Sequence, residues 1–142
     1  MKRNILKILF IIYCAIMLVL LFNRPKRVFM DYWEQVRMST NLIPFKTIMG
    51  YLGRWSSFAV INLFGNIITF VPLGFFLPLF WQRMRSYKWF LPCCALIICT
   101  VELTQLFTLR GSCDIDDLIL NLMGVSIGFA LFRIRKIKEI LV

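Results

Sequence analysis

The chain has 142 residues, 60% of them hydrophobic, with a mean hydropathy of +0.77 and a formal net charge of +10. Apolar runs of nearly bilayer-spanning length exclude an ordinary soluble domain. They also exclude a nucleic-acid-binding reading of the charge, which needs a basic face on a soluble fold. The chain contains no histidine, which rules out imidazole acid–base catalysis, Ser-His triads and imidazole metal ligands.

The first apolar run, from about Ile5 to Phe22, is flanked by Lys2, Arg3 and Lys7 before it and by Arg24, Lys26 and Arg27 after it. A basic start and an apolar core resemble a secretory signal, but no small-x-small cleavage pattern follows, so a retained anchor is expected. Residues 23–57 form the one long connection. Within it Val28, Phe29, Tyr32, Trp33 and Val36 recur at helical spacing beside Asp31, Glu34 and Arg37, which predicts a short amphipathic helix lying in the interface. In Asn41-Leu42-Ile43-Pro44-Phe45 the proline biases Ile43 toward extended geometry. This piece is expected to be a loop dipping into the interface, a candidate lid carrying Asn41, Pro44 and Phe45.

The second span is expected from about Phe58 to Trp81, with Pro72 kinking it or ending its first half. A short basic turn with Arg83, Arg85 and Lys88 then returns the chain antiparallel. The third span is expected from about Trp89 to Phe107 and the fourth from about Ile115 to Phe132, closed by Arg133, Arg135, Lys136 and Lys138. The expected fold is therefore an all-α membrane protein. It is a single domain over 1–142, a four-transmembrane-helix bundle with an interfacial amphipathic or re-entrant segment between spans one and two. Basic residues at 83–88 and 133–138, with only Arg110 between them, predict a multi-pass cell-membrane protein with both termini cytoplasmic.

Polar residues interrupt these spans at one end of the bundle. Asn62 and Asn66 come early in the second span, Glu102 and Gln105 late in the third, and Asp114, Asp117 and Asn121 open the fourth. Intramembrane carboxylates and amides are expensive and usually face the bundle interior. Helical periodicity puts Asn62, Gly65, Asn66 and Thr69 on one face. It makes a stripe of Asp114, Asp117, Asn121, Gly124 and Gly128, with Asp116 pointing elsewhere. Gly65, Gly124 and Gly128 are expected helix-packing positions.

Each group has a plainer reading. Asp114 and Asp117 complement the N-terminal dipole of the fourth helix, and the amides act as interhelical glue. Glu102 resists such a reading, because it sits about a turn inside its span. It must be protonated, paired with a cation such as Arg110, or exposed to a wet cavity. Glu102 with Asp117 could supply an acid–base pair or oxygen ligands for a hard cation, but no obvious nucleophile or phosphate cradle accompanies them; Ser112 is the nearest hydroxyl. No metal and no cofactor is assigned. Of the five cysteines, Cys14, Cys93, Cys94 and Cys99 lie in apolar runs and are expected to be small buried packers, with Cys113 near an aqueous edge.

Read in order, several stretches resemble the VanZ-like family of bacterial membrane proteins. They are Asn41–Phe45, Asn62-Leu-Phe-Gly65-Asn66 running on to Phe70-Val-Pro72-Leu-Gly74, Glu102-Leu-Thr-Gln105, Arg110, and Asp114-Ile-Asp116-Asp117 with Asn121, Gly124 and Gly128. The resemblance covers roughly residues 41–130. It implies a small multi-span protein of Gram-positive-type membranes, and the family's namesake is associated with low-level teicoplanin resistance. The expected partners are membrane lipids and a lipid-linked wall precursor or lipoglycopeptide, with no nucleic acid; assembly of several copies is compatible with the sequence. The expected function is binding or remodelling of a cell-envelope amphiphile at an outer-leaflet polar pocket. The alternatives are an intramembrane carboxylate hydrolase or transferase acting on a lipid-linked head group, and a small transporter subunit.

Overall fold

The computed structural model describes residues 2–23, 30–54 and 56–134. In chain order the helices are α1 (Lys2–Phe22), α2 (Tyr32–Met38), α3 (Lys46–Gly53), α4 (Ser57–Phe80), α5 (Tyr87–Phe107) and α6 (Ile115–Arg133). A 3-10 turn, Gln82–Arg85, joins α4 to α5, and two short strands, β1 (Thr40–Asn41) and β2 (Cys113–Asp114), pair in parallel. Helices α1, α4, α5 and α6 are long and apolar enough to cross a membrane. The chain is an all-α, multi-pass membrane protein.

The sequence builds this bundle around close approach of α4 and α6. A Cβ on Gly124 would lie 2.2 Å from the Ile67 carbonyl oxygen, one on Gly128 2.0 Å from that of Val71, and one on Gly74 2.0 Å from that of Val125. Only glycine lets the two backbones come this near, so contact surface is gained where lipid supplies no hydrophobic drive for helix association. Beside the glycines, Phe70 and Leu77 of α4, Phe90, Cys94 and Ile98 of α5, and Val125 and Phe129 of α6 form the apolar core. Helix α1 is peripheral, with only 6% of its apolar window buried. It leans on α4 through Phe10, which packs against Phe76 and Phe80, and through the Tyr13 hydroxyl, which donates to the Thr69 carbonyl at 3.0 Å.

Three expectations change here. First, α4 runs unbroken from Ser57 to Phe80 with Pro72 and Pro78 inside it, so Pro72 does not end its first half; packing against α6 on both sides of the proline holds the helix together. Second, the interfacial helix starts later than its periodicity suggested. Asp31 caps α2 by accepting from the Trp33 N–H at 3.1 Å, while Val28 and Phe29, with Arg24, Lys26 and Arg27, lie outside the described residues. Trp33 is exposed on the rim of the bundle. Arg135, Lys136 and Lys138 likewise fall outside the described residues. Third, residues 41–45 are not a free dipping loop: β1 is tied to β2, and a helix not anticipated from the sequence, α3, follows directly.

Of the four cysteines expected to be buried packers, only Cys94 is; Cys14, Cys93 and Cys99 are half-buried. The basic turn behaves as an anchor. The Arg85 Nε donates to the carbonyl of Pro78 at 3.1 Å, and the Arg83 guanidinium sits 4.5 Å from the centre of the Trp89 ring.

Candidate functional site

Antiparallel spans joined by short turns bring the start of α4, the end of α5 and the start of α6 to the same end of the bundle. A cavity of about 270 Å³ opens there. Its polar lining is Asn62, Asn66 and Thr69 from α4, Glu102 and Gln105 from α5, Asp117 and Asn121 from α6, and Ser112 from the turn before β2. Among the described residues, the other side chains that line it are apolar: Leu20 and Leu21 at the end of α1, with Ile61 and Phe70 of α4. Six of the eight polar residues singled out in the sequence therefore meet in one space. Gly65 also lines it, and a Cβ there would meet nothing within 4 Å. Gly65 is thus not a helix-packing position as expected; its small size widens the cavity.

Hydrogen bonds fix how the amides present themselves. Asn62 Nδ2 donates to the Phe58 carbonyl at 2.7 Å, and Gln105 Nε2 donates to the Leu21 carbonyl at 2.7 Å. Asn66 Nδ2 donates to Asp117 Oδ1 at 2.5 Å, tying α4 to α6. Asn121 Nδ2 lies 3.5 Å from Glu102 Oε1, a long contact. Glu102, Gln105 and Asn121 are all buried, and the Asn121 Oδ1 accepts no hydrogen bond. The Arg110 guanidinium donates to the Phe22 carbonyl at 2.7 Å. Together with Gln105 it therefore closes the C-terminal carbonyls of α1, which are left without partners at any helix end.

The opposite face of the α6 N-terminus is filled by the long connection. Asp114 caps α6, accepting from the Asp116 N–H at 2.9 Å, and also accepts from Asn41 Nδ2 and Thr47 Oγ1. Asp116 is fully buried. Its carboxylate accepts the main-chain N–H of Phe45, that of Thr47 at 2.8 Å and that of Ile48 at 3.1 Å. Phe45, the N-cap of α3, sits in the left-handed region at φ 65°, so the N–H groups around it converge as in an anion-binding nest. A carboxylate of the same chain occupies that nest and supplies the negative charge that a helix N-terminus favours.

A family model described as VanZ/LLP1 matches residues 10–136. The chain belongs to the VanZ/LLP1 family. No curated protein and no solved structure matches the chain. The family match takes in α4, α5 and α6 and the segment clamped by Asp114 and Asp116, which are the parts that build the cavity.

Within this VanZ/LLP1 fold some expected site residues lie elsewhere. Asp114 and Arg110 are not among the residues lining the cavity. Asp114 instead borders a smaller, mostly apolar cavity of about 190 Å³ with Leu42, Cys99 and Leu118, and Glu102 stands between the two spaces. The lid expected from Asn41, Pro44 and Phe45 does not form over the polar cavity, because Asn41 and Phe45 are held against the first turn of α6. Two groups on this side report the carboxylates' field. Burial pushes the Cys113 thiol above its ordinary range, with Glu102 adding to the effect. Tyr51 on α3 is raised by burial and then by Asp117 and Asp114.

Sequence reasoning missed α3, the anchoring role of Asp116 and the main-chain contribution of α1. A partial signal for the second existed: Asp116 is a third carboxylate in a four-residue stretch, and its helical position turns it away from Asp117.

Proposed function

We propose that this VanZ/LLP1 member binds a cell-envelope amphiphile, with the polar head in the cavity and the apolar tail in the lipid beside α1. The observation that supports this most is the two-sided character of the cavity wall. Side chains of α4, α5 and α6 make it polar, while Leu20 and Leu21 of the thinly packed α1 make it apolar. A water-soluble ligand gains nothing from the second wall, and a purely apolar one leaves the first unsatisfied. With both termini cytoplasmic, the cavity opens toward the outer leaflet. Lipid-linked wall precursors and the tails of lipoglycopeptides meet the protein on that side, and the phenotype we assign is low-level teicoplanin tolerance.

The test is expression in a teicoplanin-sensitive Gram-positive host. Glu102→Ala or Asp117→Asn is expected to abolish the tolerance while membrane levels of the protein stay unchanged. Tolerance that survives both changes overturns the proposal, and loss of the protein itself returns these side chains to a structural role. Orientation is checked separately by labelling intact cells. A cysteine introduced at 42–44 should react with an impermeant reagent and one at 83–85 should not, and the reverse pattern inverts the topology.

A further inference from the structure

The opposite end of the bundle carries a groove of different chemistry. Arg3, Lys7, Phe10 and Ile11 of α1, with Phe80 and Trp81 at the end of α4, line an open space of about 330 Å³. It lies roughly 27 Å along α4 from Asn62 by helical rise, so it is separate from the polar cavity. We infer that this groove binds one anionic phospholipid, its phosphate at Arg3 and Lys7 and an acyl chain running inward along Phe10, Ile11 and Phe80.

The lining is graded along α1. Arg3, Lys7, Phe10 and Ile11 follow an i, i+4, i+7, i+8 pattern, so they share one helix face, with the cations nearer the helix start and the apolar pair deeper. A phospholipid presents the same order, charged head first and hydrocarbon below it. The floor is preformed. The Phe10 ring packs against Phe76, Phe80 and Trp81 with centroids 5.4, 5.5 and 6.1 Å away. Trp81 is exposed beside these rings, the placement of an aromatic residue at headgroup level.

Charge selects the head. Arg3, Lys7, Arg83, Arg85, Lys88 and Arg133 stand at this end, and among the described residues no carboxylate does; the acidic ones lie in the long connection, late in α5 or at the start of α6. Two of these cations are engaged within the protein, Arg85 by the Pro78 carbonyl and Arg83 by the Trp89 ring. Arg3 and Lys7 are exposed and have no hydrogen bond or ion pair among the described residues. An arginine fork grips phosphate oxygens in pairs, and a lysine adds a point charge. A zwitterionic head would bring its ammonium to a place with no carboxylate to receive it, so a head of net negative charge fits better. About 330 Å³ falls within the roughly 300–1,000 Å³ of small-ligand sites. That is room for a head group and the first part of a chain whose remainder lies in the bilayer.

The test is native mass spectrometry of the full chain released from a neutral detergent. It is titrated with dioleoyl phosphatidylglycerol, dioleoyl phosphatidylcholine and, as the tail-less anion, glycerol phosphate. The expected result is one saturable phosphatidylglycerol site, at least tenfold tighter than phosphatidylcholine, with no glycerol phosphate bound at the same concentrations. Because the net charge of +10 attracts any anion, two double variants of equal charge are compared. Arg3→Gln with Lys7→Gln should weaken phosphatidylglycerol binding at least tenfold. Lys88→Gln with Arg133→Gln, at the same end but outside the groove, should weaken it less than threefold.

Equal losses in the two double variants would mean diffuse attraction and overturn the site. Equal affinity for the two lipids overturns the charge argument and the proposal with it. Glycerol phosphate bound as tightly as phosphatidylglycerol makes the groove a free phosphate-ester site and sinks the lipid assignment. Should the variant lacking both α1 cations fail to insert, Lys7→Gln alone replaces it, since Lys2 and Arg3 then keep the basic flank. A loss of at least threefold there supports the site, and a smaller one overturns it.

Discussion

Replacing Asp116 with alanine removes the acceptor for the main-chain N–H groups of Phe45, Thr47 and Ile48 in one step. Hydrogen bonds to a charged group contribute about 1.5–3 kcal/mol each, and stranded donors add a penalty of their own. The donors lie in a segment that is half-buried to exposed, so water recovers part of the loss. The net cost to docking of residues 40–53 is then about 3–5 kcal/mol, comparable to breaking one buried charge pair. Asparagine keeps one oxygen, which can serve Thr47 and Ile48 while its NH₂ faces the Phe45 N–H, so Asp116→Asn should cost about half as much, ~1.5–3 kcal/mol.

The perturbation is local, because α4 and α6 remain locked by their glycines. Limited trypsinolysis of the protein in nanodiscs reads it directly, since Lys46 and Arg54 bracket α3. When opening is fast relative to cleavage, the cleavage rate follows the open population. At 1.4 kcal/mol per factor of ten, Asp116→Ala should raise cleavage at these two sites by about a hundredfold or more, and Asp116→Asn by roughly tenfold to a hundredfold. Unchanged cleavage in Asp116→Ala would refute the clamp, and a parallel rise at sites in the α4–α5 turn would mean that the whole bundle had loosened.

Gly124→Ala or Gly128→Ala drives a methyl into main-chain atoms that cannot yield; each should lower stability by about 3 kcal/mol or more, seen as a reduced melting temperature in detergent. Gly65→Ala, with open space around it, should leave the melting temperature within a degree or two. Gln105→Leu strands the Leu21 carbonyl at a cost of about 1 kcal/mol; amide hydrogen exchange over residues 19–23 should speed up about fivefold while the α5–α6 amides stay unchanged. The raised pKa of Cys113 leaves it mostly as thiol at pH 8, where an ordinary exposed cysteine is already partly thiolate. Peptide-resolved alkylation there should be slow at pH 8 and should climb only as pH passes above the usual thiol range; fast labelling at pH 7 would contradict the burial that raises it.

How much of this was legible in the sequence depended on whether a residue's partner was local or remote. Convergence of Asn62, Asn66, Glu102, Gln105, Asp117 and Asn121 needed only helical periodicity and the alternation that short turns impose, and both are properties of the sequence itself. Gly124 and Gly128 were readable as packing positions from their spacing, yet the same logic failed at Gly65. What matters is which backbone lies opposite, and opposite Gly65 there is a cavity. Helix α3 was invisible for a related reason. Its segment Lys46–Gly53 carries two glycines, no acidic residue in the first turn and an N-cap phenylalanine that makes no side-chain cap bond. Its start is capped by Asp116, about seventy positions away in the chain. Nor could an apolar run announce that the carbonyls of Leu21 and Phe22 would receive Gln105 and Arg110.

The first turn of α6 explains why so much of the family pattern is packed into one short stretch. Consecutive residues of a helix diverge by about 100°, so Asp116 and Asp117 cannot serve the same neighbour. Asp116 faces α3 and Asp117 faces the cavity, where it accepts from Asn66. Asp114, one position before the helix, bonds at once to its own helix, to β1 and to Thr47. The acidic stretch is therefore a junction with two outputs. One holds the connection against the bundle, and the other places a carboxylate in the space between α4 and α5. A substitution at Asp116 reaches the cavity by moving the helix that carries Asp117, and one at Asp114 also through the smaller cavity that it shares with Glu102. That is why stability of the connection and binding in the cavity must be measured separately before either residue is given a role.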